Sequence, residues 1–110
     1  MSSEVIRITM FKIPRQDDQE QMSKAYEHLK ENQQKEGKPY LLSIEAGPSF
    51  DNARNQGFNF IAKTVFKNKA DHDFYDTICP AHKHLEAVAK LLDIQGMVTN
   101  SYTPSLIWNN

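Results

Sequence analysis

Two residues able to move a proton flank a proline in the segment Phe74-Tyr75-Asp76-Thr77-Ile78-Cys79-Pro80-Ala81-His82. An imidazole titrates ordinarily near ~6.5, so it can act as base and then acid close to neutrality. A phenol beside it can orient a carbonyl or hydrogen-bond a developing enolate. The residues alone leave the choice of histidine open. His82 lies about 90° off the centre of its helix's apolar face, and His84 is as marginal on the other flank. A boundary histidine is more often structural than catalytic, and Tyr75 beside Phe74 reads equally well as core.

Other candidate chemistries are poorer. His72 and Asp76 are spaced i, i+4, but a catalytic metal needs three ligands and an open position. No third ligand is identifiable among His28, His82, His84, Asp71 and Asp73, so no metal is expected. The four glycines are isolated and form no phosphate-cradling loop. Cys79 is the only cysteine, which excludes a disulfide framework. Before Pro80 it could gain thiolate character from a helix N-terminus, or serve as a small buried residue. Trp108 in the tail either docks on a partner subunit or belongs to a loose end.

The chain must position these groups with 110 residues, enough for one domain over 1–110 with one modest core. Thirteen Lys+Arg stand against 14 Asp+Glu, a net charge of −1. No basic excess is available to neutralise phosphates, so no nucleic-acid partner is expected. No window approaches the ~18 apolar residues of a membrane span. The first residues lack the pattern of a secretory signal, which predicts a cytoplasmic protein with no membrane partner.

Residues 4–13 are apolar and β-branched and predict a strand, stopped by Pro14. A helix follows to residue 36, with Met22, Tyr26 and Leu29 as its apolar stripe and Asp17, Asp18 and Glu20 in its first turn. Gly37 and Pro39 end it. Residues 40–46 predict a second strand, 49–56 a loop, and 58–66 a third strand. Asn68 and Asp71 carry the spacing of a capping box and start a second helix over 70–77. Pro80 breaks and restarts it, with Ala81, Leu85, Val88 and Leu92 on one face and Lys83, Glu86 and Lys90 opposite. Residues 97–102 predict a last strand. The order βαββαβ is that of a ferredoxin-like α+β fold, a four-stranded antiparallel sheet with helices on one face.

Both faces of that sheet are apolar. Ile6, Ile8, Met10, Ile61 and Val65 share the parity away from the helices, and an exposed patch of that kind marks a partner surface. The expected partner is a second copy packed sheet to sheet. Val5, Phe11, Phe58, Phe60, Ala62 and Phe66 have the other parity. With them Arg7, Thr9, Thr64, Thr99 and Ser101 come to lie beneath the helices. A buried guanidinium needs a partner. Either Arg7 pairs with a carboxylate or its head reaches the sheet's edge, or these groups line a cavity in which Arg7 holds a carboxylate, enolate or thioester oxygen.

The run VIRITMFKI, the strand FIAKTVF, Pro80-Ala81-His82 and Ser101-Tyr102-Thr103-Pro104 resemble the stress-responsive A/B barrel (Dabb) family, in matching order along essentially the whole chain. Gly37-Lys38-Pro39-Tyr40 and Ile44-Glu45-Ala46-Gly47-Pro48 resemble its fungal members. The resemblance implies a dimeric α+β barrel. It also implies a relation to a plant polyketide cyclase of the family, which closes a linear thioester by aldol condensation without metal or organic cofactor. Tyr75 and His82 match that enzyme's catalytic tyrosine and histidine. This chain has one more residue between them and has Cys79 where the plant enzyme has another histidine.

The expected pocket lies between sheet and helices. Its catalytic residues are His82 and Tyr75, and its substrate-binding residues are Arg7, Thr9, Phe11, Tyr26, Phe60, Ala62, Cys79, Met97, Thr99 and Ser101. The expected function is a cofactor-independent small-molecule enzyme, a polyketide-type cyclase or a cofactor-free oxygenase. The alternative is a non-catalytic, stress-associated dimer that binds a small apolar ligand, with Phe11, Phe58, Phe60, Phe66 and Phe74 filling the interior. A pocket histidine is expected to contribute little packing, so that His82→Ala leaves the fold intact.

Overall fold

Residues 3–110 are described by a computed structural model. Strand β1 (Val5–Lys12) is followed by helix α1 (Gln16–Asn32), β2 (Leu41–Pro48), a single 3₁₀ turn (Ala53–Asn55), β3 (Phe60–Phe66), α2 (Lys69–Thr77), α3 (Pro80–Ala89) and β4 (Gly96–Tyr102). The four strands form one antiparallel sheet in the order β2-β3-β1-β4. This is the ferredoxin-like arrangement, with the expected second helix divided at Pro80.

The inward parity of β1 and β3 builds the core. Val5, Phe11, Phe60, Ala62 and Phe66 are buried with Met22, Ala25, Tyr26 and Leu29 of α1 and Tyr75, Ala81 and Leu85 of α2 and α3. The Phe60 ring meets Phe11 edge-on at 6.2 Å and stacks on Tyr26 at 6.5 Å. Such pairs add to the burial of the rings themselves. Asn68 caps α2 as its spacing predicts, its side chain accepting from the Asp71 N–H at 2.9 Å.

Most boundaries shift by a residue from the sequence expectation, and four differences bear on the packing. Helix α1 stops at Asn32 rather than residue 36. Gln33 is extended, and its side-chain carbonyl accepts from the N–H groups of Tyr40 and Leu41. Lys35 and Lys38 then bond to each other across a tight turn in which Glu36 and Gly37 both have positive φ, a conformation open to glycine at no steric cost. Strand β2 continues through Gly47 and Pro48, opposite Ile61 and Phe60; a proline is tolerated there because β2 is an edge strand. Strand β3 begins at Phe60, so Phe58 escapes its parity. Its ring lies under the Lys12 ammonium at 4.8 Å and beside Met10 and Ile61, on the helix-free side. Helix α3 ends at Ala89, with Leu92 only partly buried beyond it.

On the helix-free face, Ile6, Ile8 and Met10 are half-buried, Ile61, Val98 and Tyr102 are exposed, and Val65 is covered within the single chain. At the far edge, residues 97–100 of β4 are exposed on both faces, so the helices leave this strand bare. Among the described residues no helix is long and apolar enough to cross a membrane.

Candidate functional site

The local chemistry begins with a proline that cannot donate. Pro80 has no N–H, so the end of α2 cannot close in the ordinary i to i−4 pattern. The N–H groups of Ile78 and Cys79 both converge on the Phe74 carbonyl, at 2.8 and 2.9 Å. The second of these spans five residues, a one-turn widening that accommodates an inserted residue. It also takes from the Tyr75 carbonyl the helical partner it would have had in Cys79. That carbonyl meets His82 Nδ1 instead, at 2.8 Å.

A carbonyl only accepts, so Nδ1 carries the proton and donates. In the neutral ring Nε2 is then the basic nitrogen. His82 is 6% exposed. Burial lowers its pKa from the ordinary value, opposed by the Tyr75 carbonyl bond and the Glu86 carboxylate. The imidazole stacks on the Tyr75 ring, with centroids 3.8 Å apart and planes 19° apart. The Tyr75 phenol is pushed well above its usual range by burial, with the Arg7 charge opposing. It is thus a hydrogen-bond donor at any physiological pH.

Below this pair lies the sheet. Arg7 donates from Nη1 to Asp76 Oδ1 at 2.9 Å, and its guanidinium sits over the Tyr75 ring at 5.4 Å. Arg7 is thus paired with a carboxylate and also borders a cavity. That cavity, of about 70 Å³, is bounded by Arg7, Thr9, Phe11, Tyr26, Tyr75, His82, Met97 and Thr99, all named from the sequence. The Thr9 and Thr99 hydroxyls bond each other at 3.1 Å across β1 and β4. Burial raises the Tyr26 phenol as well.

Four residues named from the sequence lie outside the lining. Phe60 and Ala62 are core beneath Tyr26 and α1. Cys79 is wholly buried at the helix break, beside the Tyr40 hydroxyl. Ser101 is drawn away by His72, whose Nε2 lies 2.8 Å from its hydroxyl. That contact also separates the i, i+4 pair once weighed for a metal, because His72 turns to Ser101 and Asp73 while Asp76 turns to Arg7. Five liners were not named as site residues: Met22, Thr64, Leu85, Glu86 and Ala89. Glu86 was assigned to the solvent face of α3. It lies one turn beyond His82, with its Oε1 3.9 Å from Nδ1, and the i, i+4 spacing from His82 is the signal in the sequence that could have found it.

The cavity is not filled by the phenylalanines. Only Phe11 borders it; Phe60 and Phe66 are core, Phe74 packs edge-on against Tyr40, and Phe58 is across the sheet. The histidine is far from a loosely packed pocket group. Its stacked ring and the Tyr75 carbonyl bond make it part of the structure, so alanine there is expected to cost stability rather than spare the fold.

The family profile described as the stress responsive A/B barrel domain matches residues 5–99. The chain belongs to this family. A Gibberella zeae protein described as a fusaristatin A biosynthesis cluster protein is 36% identical to this A/B barrel chain over 104 residues, 94% of this chain and 75% of that one. A hydroxynitrile lyase from Passiflora edulis superposes with a TM-score of 0.76 at 16% identity, covering 99% of this chain and 100% of that one. A dimeric ferredoxin-like protein from Thermobifida fusca gives 0.75 at 16%, covering 94% and 93%. At such identities these structures show that the A/B barrel fold is shared.

Proposed function

We propose that the chain is a cofactor-independent enzyme of small-molecule biosynthesis that moves a proton at a carbon next to a carbonyl, as in the aldol or Claisen closure of a polyketide-type β-keto chain. The observation that carries this reading is the Nδ1–H bond from His82 to the Tyr75 carbonyl. It leaves a neutral imidazole with Nε2 as base in a desolvated site. In the reaction Nε2 takes the α-proton, and the Tyr75 hydroxyl donates to the enolate oxygen. The Arg7 charge stabilises that oxygen over a short range in low dielectric. The enolate carbon then attacks a second carbonyl of the same chain; in an aldol closure the imidazolium returns its proton to the new alkoxide, and in a Claisen closure that alkoxide collapses to a ketone and the proton goes to the expelled thiolate. The cavity is well below the ~300–1,000 Å³ of ordinary ligand pockets. It takes the reacting few atoms, and the rest of the substrate lies along the bare β4 edge past Met97 and Thr99. The relative from a biosynthesis cluster supports small-molecule chemistry.

The enclosed volume also favours a second reading, a non-catalytic dimer that holds a small apolar ligand. The two separate on proton exchange. N-acetylcysteamine thioesters of linear β-keto acids are incubated with the protein in D₂O, following α-deuteration by NMR and ring closure by mass spectrometry. Acceleration over buffer is expected, falling by ~10²–10⁴ in His82→Asn and by ~10²–10³ in Tyr75→Phe. Exchange no faster than buffer across the probes refutes the enzyme and leaves the binder. Oxygen uptake during turnover would instead assign cofactor-free oxygenation.

We further propose that two copies pair through the helix-free sheet face. Its support is the apolar outward parity of Ile6, Ile8, Met10, Ile61 and Val98, and the dimeric state of fold neighbours.

A further inference from the structure

Strand β4 ends at Tyr102, opposite Ile6. Beyond it, residues 103–110 run without helix or strand. This segment carries three consecutive large apolar residues, Leu106, Ile107 and Trp108, which are 84%, 60% and 75% exposed. Covering such side chains is worth roughly 1.5–3 kcal/mol each, and the described residues of the chain leave them mostly uncovered. With Ile6, Tyr102 and Pro104 they frame an open depression. Ile6 and Tyr102 belong by parity to the helix-free face, so the segment starts at the margin of that apolar surface and continues it.

We infer that residues 103–110 form an arm that docks on a second copy of the chain, with Leu106 and Trp108 as anchors at the margin of the partner's helix-free face, beside the paired sheets. The inference rests on the pairing of two copies proposed above. Three observations single out this occupant. The arm, Thr-Pro-Ser-Leu-Ile-Trp-Asn-Asn, has no charged residue, matching the charge-poor centre of protein interfaces where tryptophan is enriched. The same lack of Lys and Arg gives it no attraction to an anionic lipid surface. Its reach also fits. Eight extended residues span ~26–29 Å, while four strands spaced ~4.8 Å apart are only ~14 Å from first to last. An arm leaving the β4 edge is therefore long enough to pass the edge of the paired sheets and reach the partner's margin. Pro104 lacks the N–H that would extend the β4 ladder, so it turns the chain off the strand.

Trp108 is the only tryptophan, so its fluorescence reports the arm alone. The full-length protein is measured by sedimentation and by tryptophan emission with acrylamide quenching, across a dilution series. The expected result is a dimer with blue-shifted, poorly quenched emission, which shifts to the red as dilution separates the copies. A chain ending at Thr103, and separately Trp108→Ala, should raise the dimer dissociation constant at least ~10-fold. Trp108→Ala alters an exposed side chain, so the fold is not at stake. A dimer whose indole is red-shifted and freely quenched, or whose dissociation constant ignores both variants, overturns the arm while leaving the pairing intact. A monomeric mass at every concentration overturns both. Blue-shifted emission unchanged on dissociation shows the arm folded on its own chain and overturns the arm alone.

Discussion

Replacing His82 tests whether one buried hydrogen bond sets the site, and the structure gives the size of the effect. Alanine there strands the Tyr75 carbonyl beneath the helix break, which costs about 1–3 kcal/mol. It also removes the ring stacked at 3.8 Å, worth about 0.5–1.5 kcal/mol. The sum is ~1.5–4.5 kcal/mol, a large share of the ~5–15 kcal/mol that holds a domain together. In urea, with a slope of ~1–3 kcal/mol per molar for small domains, the midpoint should fall by about 1–2 M. Asparagine is the informative partner, because its amide N–H can sit where Nδ1–H sits and keep the carbonyl satisfied. His82→Asn should lose only ~1 kcal/mol, chiefly the stack, yet have no base. The pH dependence follows from the direction of the shift. Burial lowers the folded pKa of His82 below the ordinary value, so the folded state resists protonation. The groups that bear on it are the Tyr75 carbonyl, Glu86 and Asp76, which favour the charged ring, and Arg7, which opposes it. The contribution of the neutral ring is fully present above the unfolded pKa of ~6.5 and is lost as pH falls through the folded pKa. The stability advantage of wild type over His82→Asn should therefore narrow on acidification below pH ~6.5. An advantage that widens there refutes the reasoning, as does a His82→Ala protein within ~0.5 kcal/mol of wild type.

Other substitutions probe other parts. Ile8→Asp puts a charge into the proposed pairing face, and light scattering at micromolar concentration should show the dimer lost; a dimer retained with native circular dichroism argues against that face. Phe60→Ala, at a fully buried ring between Phe11 and Tyr26, should cost ~3–5 kcal/mol in denaturant unfolding. Asn68→Ala removes the cap on the Asp71 N–H and should lower stability by ~1 kcal/mol, visible as a lower melting temperature at unchanged oligomeric mass.

The sheet was legible in the sequence because its period is two and its parity admits no compromise. Arg7, Thr9, Phe11 and Thr99 follow Val5 and Phe60 onto the same face whatever the helices do. The helices were legible only along their apolar stripes. How far α3 rolls over the sheet is decided by tertiary contacts, and a modest roll brings Glu86 and Ala89 to the cavity rim. The end of α1 was hidden for a related reason. Gln33, Gln34, Lys35 and Glu36 are acceptable helix formers, and the turn wins only because the Gln33 amide captures the N–H groups of Tyr40 and Leu41 and Lys35 reaches Asp71 at 2.7 Å. The widened turn before Pro80 was foreseeable as a break, but the release of the Tyr75 carbonyl to His82 follows from three-dimensional hydrogen-bond accounting, which no spacing rule contains.

The bare β4 edge has a consequence for how such a protein can change over generations. Its rigid parts, Phe11, Phe60, Phe66 and the α1 stripe, sit on the β2-β3-β1 side and hold the stability. On the proposed function, the wall that meets a ligand's outer portion is made of Met97 and Thr99, both exposed, with the Thr99 hydroxyl bonded to that of Thr9. Substitutions there change the shape and polarity of the entrance at almost no thermodynamic cost, because surface exchanges typically move stability by less than ~0.5 kcal/mol. On the proposed function, stability and substrate choice are thus carried by separate strands of one sheet. A lineage can explore new substrates along one edge without first acquiring a surplus of stability to spend.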